Sequence, residues 1–524
     1  MKGFMNARYR KLAALFIAAV LVVIPSAALA QASSAPKAAP PASAAKPSTK
    51  SSTTEARSLP QIRIPELPPF HPQQPKRIQL SNGMVVFLQE DHELPLISGT
   101  MRIRGGSIYE PAEKVGLTDI YGSVWRTGGT KTRTGDQLDD FLEARAAKLE
   151  TTANDDSTIV SFNCLKGDFD DVFAAFRELL QEPAFREDKI DLVKRQLYGV
   201  ISRRNDDIDD IANREAGKLA YGKDNPYVRV AEYATVAAVT REDLVKWHDT
   251  YVHPANIIFG MSGDFDANAM EQLIRKTFES WPAGTRAEEP KIEFTPAKTG
   301  IYFIAKEDVD QSSVQMVGLG IVRKNPDYYP ITVMNEVLSG GFASRLISHL
   351  RSKLGLAYSV GGGIGSAWDH PGMDDFAMST KSASTKEAIE GLKRELNDLI
   401  AHPPTPEEMK RSKDAILNSF VFNFDSKEKV LAEKMRYEFY GYPLDFLEHY
   451  RSEIEKVTVD DVNRVAKKYL HPEQFPTLVV GNPGEIGSQL TSLGPVTPID
   501  ITIPPPPGEP SQPGAAAPQP PGSR

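Results

Sequence analysis

The chain has 524 residues and carries 61 Lys and Arg against 69 Asp and Glu, which gives a formal net charge of −8. This acidic balance argues against a nucleic-acid or anionic-membrane partner, because a protein that binds a polyanion needs a basic face. The single cysteine, Cys164, excludes an internal disulfide, and its place in the alternating run STIVSFNCL predicts a strand with a buried thiol.

The first 30 residues have the pattern of a secretory signal peptide. Four basic residues precede an apolar run at 12–24, and the small-residue stretch PSAALAQA follows, with cleavage expected after Ala30. The apolar run is shorter than the roughly 20 residues of a membrane span; an uncleaved anchor is the alternative. Residues 31–70 are rich in Ala, Pro and Ser, and we predict a disordered linker there.

An internal repeat organises the rest of the chain. Residues 240–264 and 458–482 share Thr, Asp, Tyr, His-Pro and Gly in one register. We therefore predict an N-terminal module at 71–290, a C-terminal module at 291–490 and a Pro-rich disordered tail at 491–524. Alternating strand patterns open each module and paired helical patterns follow, which predicts an α+β fold with a mostly antiparallel sheet and helices on one face.

Several separated motifs carry a family resemblance over roughly residues 75–485. The stretches KRIQLSNGMVVFLQEDHELPLISGTMRIRGGSIYEP, GLTD and GGFASRLISHLRSKLGLAYSV occur in this order. Together they resemble the insulinase/pitrilysin family of inverzincin metallopeptidases, in its bacterial, processing-peptidase-like branch. The resemblance implies two homologous modules that form one half of a clamshell.

The resemblance also shows what the N-terminal module lacks. Family members carry H-x-x-E-H on a helix, where two histidines bind zinc and the glutamate activates the zinc-bound water. The register from GLTD puts Asp119 and Ser123 at the histidine positions and Gly122 at the glutamate position. We interpret Asp119 as a carboxylate near a helix start, favoured by the helix dipole. Asp119 with Ser123 as a replacement hydrolase pair lacks a base to activate the serine.

The remaining ligands are missing as well. The helix expected to carry the third zinc ligand, residues 192–205, contains no Asp or Glu, and Gly199 or Val200 falls nearest the expected position. None of the nine histidines lies three or four residues from another. We predict that this chain holds no metal and no other cofactor.

The C-terminal module keeps a different part of the family pattern. Arg351 and Tyr358 retain the spacing of an arginine and a tyrosine that, in the family, hold the substrate backbone near the zinc. Gly361, Gly362 and Gly363 follow, and we predict that they admit a substrate strand, with a simple bulge as the alternative. In the N-terminal module, residues 149–156 match the family's edge strand, which pairs with extended substrate; an inactive copy could keep this edge for packing only.

The resemblance implies a non-catalytic, substrate-positioning subunit of an exported zinc metalloendopeptidase, located in the periplasm or outside the cell. The zinc is expected in a heterodimer partner from the insulinase family that bears H-x-x-E-H, and the expected substrate is an unstructured peptide. Two alternatives remain: a stand-alone peptide-binding or chaperone-like protein, and a purely structural subunit, which would not need Arg351 or Tyr358.

Overall fold

The computed structural model describes residues 73–508. The predicted signal peptide (1–30) and linker (31–70) lie outside these residues. The described part contains two six-stranded, mostly antiparallel sheets and many helices, so the prediction of an α+β protein with two modules is confirmed. None of its helices has the length and apolar character needed to cross a membrane.

The first sheet and its helices come from the first half of the described chain. The elements are, in chain order, β1 (Lys76–Gln79), β2 (Val85–Glu90), β3 (Leu96–Arg104), α1 (Leu117–Thr127), α2 (Gly135–Glu143), β4 (Lys148–Ala153), β5 (Ser157–Leu165), α3 (Phe169–Gln181), α4 (Glu187–Arg203), α5 (Ile208–Tyr221), α6 (Tyr233–Ala238), α7 (Arg241–Tyr251), β6 (Ile257–Gly263) and α8 (Ala267–Phe278). The strand order is β1-β2-β6-β3-β5-β4, with β2 and β6 parallel. Cys164 is buried on β5 as predicted, and burial raises the pKa of its thiol to about 11.

The second half repeats this plan. Its elements are, in chain order, β7 (Ile301–Ala305), β8 (Gln311–Leu319), β9 (Ile321–Val322), α9 (Tyr328–Ser339), a π-helix (Ile347–Lys353), β10 (Ser359–Gly363), β11 (Ser366–Ala367), β12 (Met373–Lys381), α10 (Thr385–Ala401), α11 (Pro406–Phe420), α12 (Lys427–Tyr440), α13 (Phe446–Lys456), α14 (Val459–Tyr469), β13 (Thr477–Gly481), α15 (Pro483–Ile486) and β14 (Val496–Pro498). The strand order is β10-β12-β8-β13-β7-β14, so β10 occupies the edge that β4 occupies in the first sheet.

The repeat is visible in the helix caps. Helices α7 and α14 both begin with a capping box, in which Thr240 or Thr458 accepts a hydrogen bond from the backbone of the Asp three residues later. The side chain of that Asp in turn accepts from the backbone N–H of the threonine. In both modules, the Thr and Asp of the capping box lie within the repeated sequence.

One helix of each module packs on the sheet of the other module. Residues Leu431, Met435 and Phe439 of α12 pack on Val85 and Phe87 of β2, on the side of the first sheet that its own core helices leave open. Helix α5 packs in the same way on β8 and β13 of the second sheet. The strand β2 is buried on both faces along most of its length, which accounts for its nearly continuous apolar sequence VVFL.

The predicted tail is corrected by the structure. The chain was expected to be disordered from residue 491, but β14 pairs in parallel with β7. Beyond it, the Ile499 N–H donates to the Phe303 carbonyl at 2.9 Å, and the Asn205 side-chain amide donates to the Ile501 carbonyl at 2.7 Å. The physical reason is that this segment satisfies backbone groups along the open edge of β7 and buries apolar side chains, which offsets the entropy of ordering it.

Candidate functional site

The helix expected to carry the zinc ligands is α1, and its start is capped by a carboxylate from the preceding loop. Gly116, at φ 99°, precedes the helix and offers no side-chain cap. The buried Glu110 carboxylate accepts from the N–H of Gly116 at 3.2 Å and from the Thr118 hydroxyl at 2.6 Å. Glu110 therefore supplies the cap that the helix lacks locally. No spacing rule in the sequence identifies this residue, because it lies six positions before the helix boundary.

Asp119 lies in the first turn of α1, as the sequence interpretation placed it. Its side chain has a large accessible surface, yet surrounding protein desolvates the carboxylate enough to raise its pKa, and the nearby Asp155 carboxylate raises it further. Both effects disfavour the charged form of Asp119. Ser123, one turn later, is partly buried.

Gly122 lies where the helix touches the edge strand β4. A Cβ atom on Gly122 would come within 2.8 Å of the Ala153 backbone nitrogen. The Gly122 carbonyl accepts a hydrogen bond from the Thr151 hydroxyl at 2.5 Å. The position that holds the glutamate in the family is therefore closed by the backbone of β4.

The edge strand β4 is fastened to α1 by a second contact. The Arg126 side chain of α1 donates from Nε to the Leu149 carbonyl at 2.9 Å. β4 pairs only with β5 within its sheet, so the Leu149 carbonyl is one of the groups that an added strand would need. The packing alternative for residues 149–156 therefore has direct support at this position.

The helix α4 offers no third ligand. Gly199 has no atom outside its own helix within 4 Å of a Cβ placed on it, and the Val200 side chain is 65% exposed. Within residues 73–508, no group of three or more His, Cys, Asp or Glu side chains is arranged to hold a metal ion. Gly199, Val200 and Gly122 therefore do not provide the ligands that zinc needs.

In the second module, the segment that carries Arg351 is a π-helix. The Leu354 N–H donates to the His349 carbonyl at 2.9 Å, the wide spacing of this helix type. Such helices are rare and are often found at functional sites. Leu350 is fully buried on the inner face, and the His349 ring is paired with Glu395 at 2.7 Å.

Arg345, just before the π-helix, anchors it to α11. Its guanidinium makes two bonds of 2.9 and 3.0 Å to the Glu408 carboxylate and donates to the His402 carbonyl at 3.0 Å. These bonds lower the pKa of Glu408 to about 2. Sequence reasoning missed Arg345, because its partner lies 63 residues away in the chain.

Arg351 and Tyr358 both reach the surface of this segment. Among the described residues, Arg351 forms no ion pair or side-chain hydrogen bond; its guanidinium lies 5.7 Å from the centre of the exposed Phe342 ring. Tyr358 is 50% exposed and joins the sheet through its backbone N–H, which donates to the Ser379 carbonyl at 2.9 Å. Tyr358 is therefore not part of the core.

The three glycines lie on β10, directly after Tyr358, and allow close packing. A Cβ on Gly362, at φ 124°, would come within 1.9 Å of the Asp375 carbonyl oxygen, and one on Gly363 would meet the Asn335 side chain at 2.4 Å. Gly361 is less confined, with Ser339 at 4.0 Å. These contacts give the glycines a packing role between α9 and β12. Their role in substrate binding stays a prediction.

The structure thus brings the predicted residues together in two groups. Asp119, Gly122 and Ser123 share α1 beside the first sheet. Arg351, Tyr358 and the glycines of β10 share one helix-to-strand segment at the edge of the second sheet. The first group has lost the residues for metal chemistry, whereas the second presents an unpaired guanidinium and an exposed phenol, both hydrogen-bond donors.

Two family models match the chain. The model described as insulinase (peptidase family M16) matches residues 85–220, and the model described as peptidase M16 inactive domain matches residues 238–416. Together they cover more than half of the chain.

Curated relatives and solved structures extend over both modules. A Helicobacter pylori protein named non-peptidase homolog YmxG is 23% identical over 403 residues, which is 76% of this chain and 91% of that protein. A Bacillus subtilis protein named uncharacterized zinc protease YmxG is 21% identical over 415 residues, 79% of this chain and 100% of that protein. A structure described as a peptidase M16 inactive domain from Pseudomonas fluorescens matches with a TM-score of 0.70 and 21% identity, covering 78% of this chain and 98% of that one.

Proposed function

The chain belongs to the insulinase family, peptidase family M16, and we propose that it serves there as a non-catalytic, substrate-positioning subunit of an exported zinc metalloendopeptidase. The observation that carries the proposal is the contrast between its two groups of site residues. Gly122 is closed against β4, while Arg351 and Tyr358 remain exposed and without partners among the described side chains.

The proposed contribution of this subunit is to hold a peptide in the site of its partner. The Arg351 guanidinium has a planar fork that can donate two hydrogen bonds to a peptide carbonyl or carboxylate. The Tyr358 hydroxyl can donate to the oxygen on which negative charge develops during peptide hydrolysis. The π-helix, held by Leu350 and by the Arg345 anchor, fixes where Arg351 projects.

The zinc and the general base are proposed to come from a partner of the same family that bears H-x-x-E-H. The two subunits form a heterodimer, and unstructured peptides are the proposed substrates. Export is proposed from the signal-peptide pattern of the first 30 residues.

The proposal is tested with the mature chain alone and with its H-x-x-E-H partner. The chain alone is expected to hold no stoichiometric zinc in elemental analysis after dialysis, because a site needs about four ligands. It is expected to leave an unstructured fluorogenic peptide uncut, and the mixture with the partner is expected to cut it. Chelator-sensitive cleavage by the chain alone would contradict the division of labour, and failure to associate with the partner would favour a stand-alone peptide-binding protein.

A further inference from the structure

A cavity of about 360 Å³ lies in the second module between α9, α11, α12 and α13. Its volume falls in the range of small-molecule sites. Aromatic side chains form one part of its wall, among them Tyr328, Trp368, Phe420, Tyr437, Phe446 and Tyr450. In chain order, α9 and α11 are the counterparts of α1 and α4 in the first module. None of the site residues discussed above lines this cavity.

One lining residue is a cation without a charged partner. The Arg323 guanidinium lies 4.0 Å from the ring centre of Trp368 and 5.3 Å from that of Tyr328. It forms no ion pair with any described residue, and its buried Nε atom has no hydrogen-bond partner there. A buried donor without an acceptor is costly. A carboxylate would satisfy the guanidinium fork with two parallel bonds.

A second lining residue is an anion without a charged partner. Glu336 of α9 faces the same cavity and forms no ion pair or side-chain hydrogen bond within the described part of the chain. Burial raises the pKa of its carboxyl group. The other carboxylate of the cavity, Glu433, is paired with Arg436, so Glu336 is the carboxylate that is left to pair with a ligand.

The two unpaired charges act in the same space. The hydroxyl of Tyr450 is affected by both: burial is the largest cause that raises its pKa, Arg323 lowers the pKa, and Glu336 raises it. A ligand with one charge would pair with Arg323 or Glu336 and leave the other, half-buried charge without a partner. A ligand with both charges would satisfy the two residues together.

We propose that this cavity binds a small zwitterion with an apolar side chain, that is, a free amino acid or a very short peptide. The ligand carboxylate pairs with Arg323, its ammonium group pairs with Glu336, and its side chain packs against the aromatic wall. Molecules of this kind are the end products of peptide hydrolysis. The inference does not depend on the proposed role of Arg351 and Tyr358, because the two sites share no residue.

The experiment is isothermal titration calorimetry of the full mature chain with L-phenylalanine and with the dipeptide Phe-Phe. At least one of them is expected to bind saturably, and the comparison decides between a free amino acid and a short peptide. N-acetyl-L-phenylalaninamide, which has the same side chain and neither charge, is expected to bind about 10-fold more weakly or worse. Equal binding of this uncharged analogue, or no saturable binding of either zwitterion up to about 10 mM, overturns the proposal.

Variants locate the site. Arg323→Gln and Glu336→Gln are each expected to weaken binding about 10-fold or more. Glu387→Gln, a matched change of an exposed carboxylate on α10, is expected to leave binding unchanged. Circular dichroism checks that each variant is folded, and the analogue series on the unaltered chain remains decisive if one is not. Unchanged binding in both folded cavity variants contradicts the assignment.

Discussion

At Gly122, one missing side chain determines how closely α1 approaches the edge strand. The space beside this glycine ends at the Ala153 backbone nitrogen, 2.8 Å from the position of a Cβ atom. Gly199, on α4, is the contrasting case, because nothing lies within 4 Å of its Cβ position. The two glycines lie on the two helices where the family carries its catalytic residues, and only the first is required by packing.

Gly122→Ala is expected to lower the free energy of unfolding by about 1–2 kcal/mol, since the cost of overpacking against backbone exceeds the gain in helix propensity. The matched change Gly199→Ala is expected to raise it by about 0.5–1 kcal/mol. Urea unfolding measures both. Gly122→Glu, the first step toward restoring the family motif, is expected to be worse than Gly122→Ala. Equal effects of the two alanine variants would show that β4 moves away from the added methyl group at little cost in free energy.

His248 is a titratable residue enclosed by the first core. Its Nδ1 lies 2.9 Å from the Tyr121 hydroxyl, and its Nε2 lies 2.9 Å from the Leu180 carbonyl. Burial lowers its pKa from 6.5 to about 4. Between these values the unfolded chain binds a proton that the folded chain does not bind. Stability from this residue is therefore fully present above pH 6.5 and is lost as the pH falls toward 4.

His248→Gln, which keeps a polar side chain of similar reach, is expected to remove this pH dependence. The unaltered chain should lose up to about 3 kcal/mol more unfolding free energy than the variant between pH 7 and pH 4. Chemical denaturation across that range measures the difference. His402→Gln is the control, because His402 is exposed. Parallel pH profiles of the His248 variant and the unaltered chain would mean that the pKa of the ring is the same in the folded and the unfolded chain.

At the scale of elements, the two modules are joined by parts that cross from one to the other. Helices α5 and α12 each pack on the sheet of the opposite module. The segment after β14 continues this connection: Ile499 and Ile501 pack with α5, and Ile503 packs on the first core. The C-terminal segment therefore acts as a strap over both modules.

Truncation after residue 495 is expected to weaken this strap. The backbone of β7 loses a neighbour, so its amide groups should exchange with deuterium faster, and the midpoint of thermal unfolding should fall by at least about 2 °C. Truncation after residue 508 removes only residues beyond the described structure and serves as the control. If exchange in β7 is the same in both truncated chains, β14 contributes nothing to the stability of this edge.

The sequence predicted those elements whose signals are local. The strand around Cys164 and the alternation of strand and paired helix patterns in each module follow from neighbouring residues. The packing of α5 and α12 on the sheet of the opposite module was not predictable, because an apolar helix face indicates burial but not which sheet will cover it. The Arg345 anchor and the closed position of Gly122 likewise depend on contacts between distant parts of the chain.

At the scale of the whole molecule, we propose that the two modules keep different halves of one family site. The first retains the scaffold of α1, α4 and β4 with residues that do not fit zinc. The second retains Arg351 and Tyr358 on a segment fixed by buried leucines and by the Arg345 anchor. Under the proposed function, this chain positions substrate only together with a partner that supplies the complementary half of the site. The proposed heterodimer is therefore the central claim.

The most direct test is the turnover of the assembled pair with Arg351→Ala or Tyr358→Phe in this subunit. Each change is expected to lower kcat by roughly 100-fold or more, the scale for losing one donor to a developing oxyanion, while association with the partner is unchanged. Lys353→Ala, an exposed cation of the same π-helix, is the matched control and should leave kcat within about 2-fold. If the variants raise KM and leave kcat unchanged, Arg351 and Tyr358 bind substrate without stabilising the transition state. Unchanged kinetics in both variants, with the complex still formed, would contradict the account and leave a structural subunit.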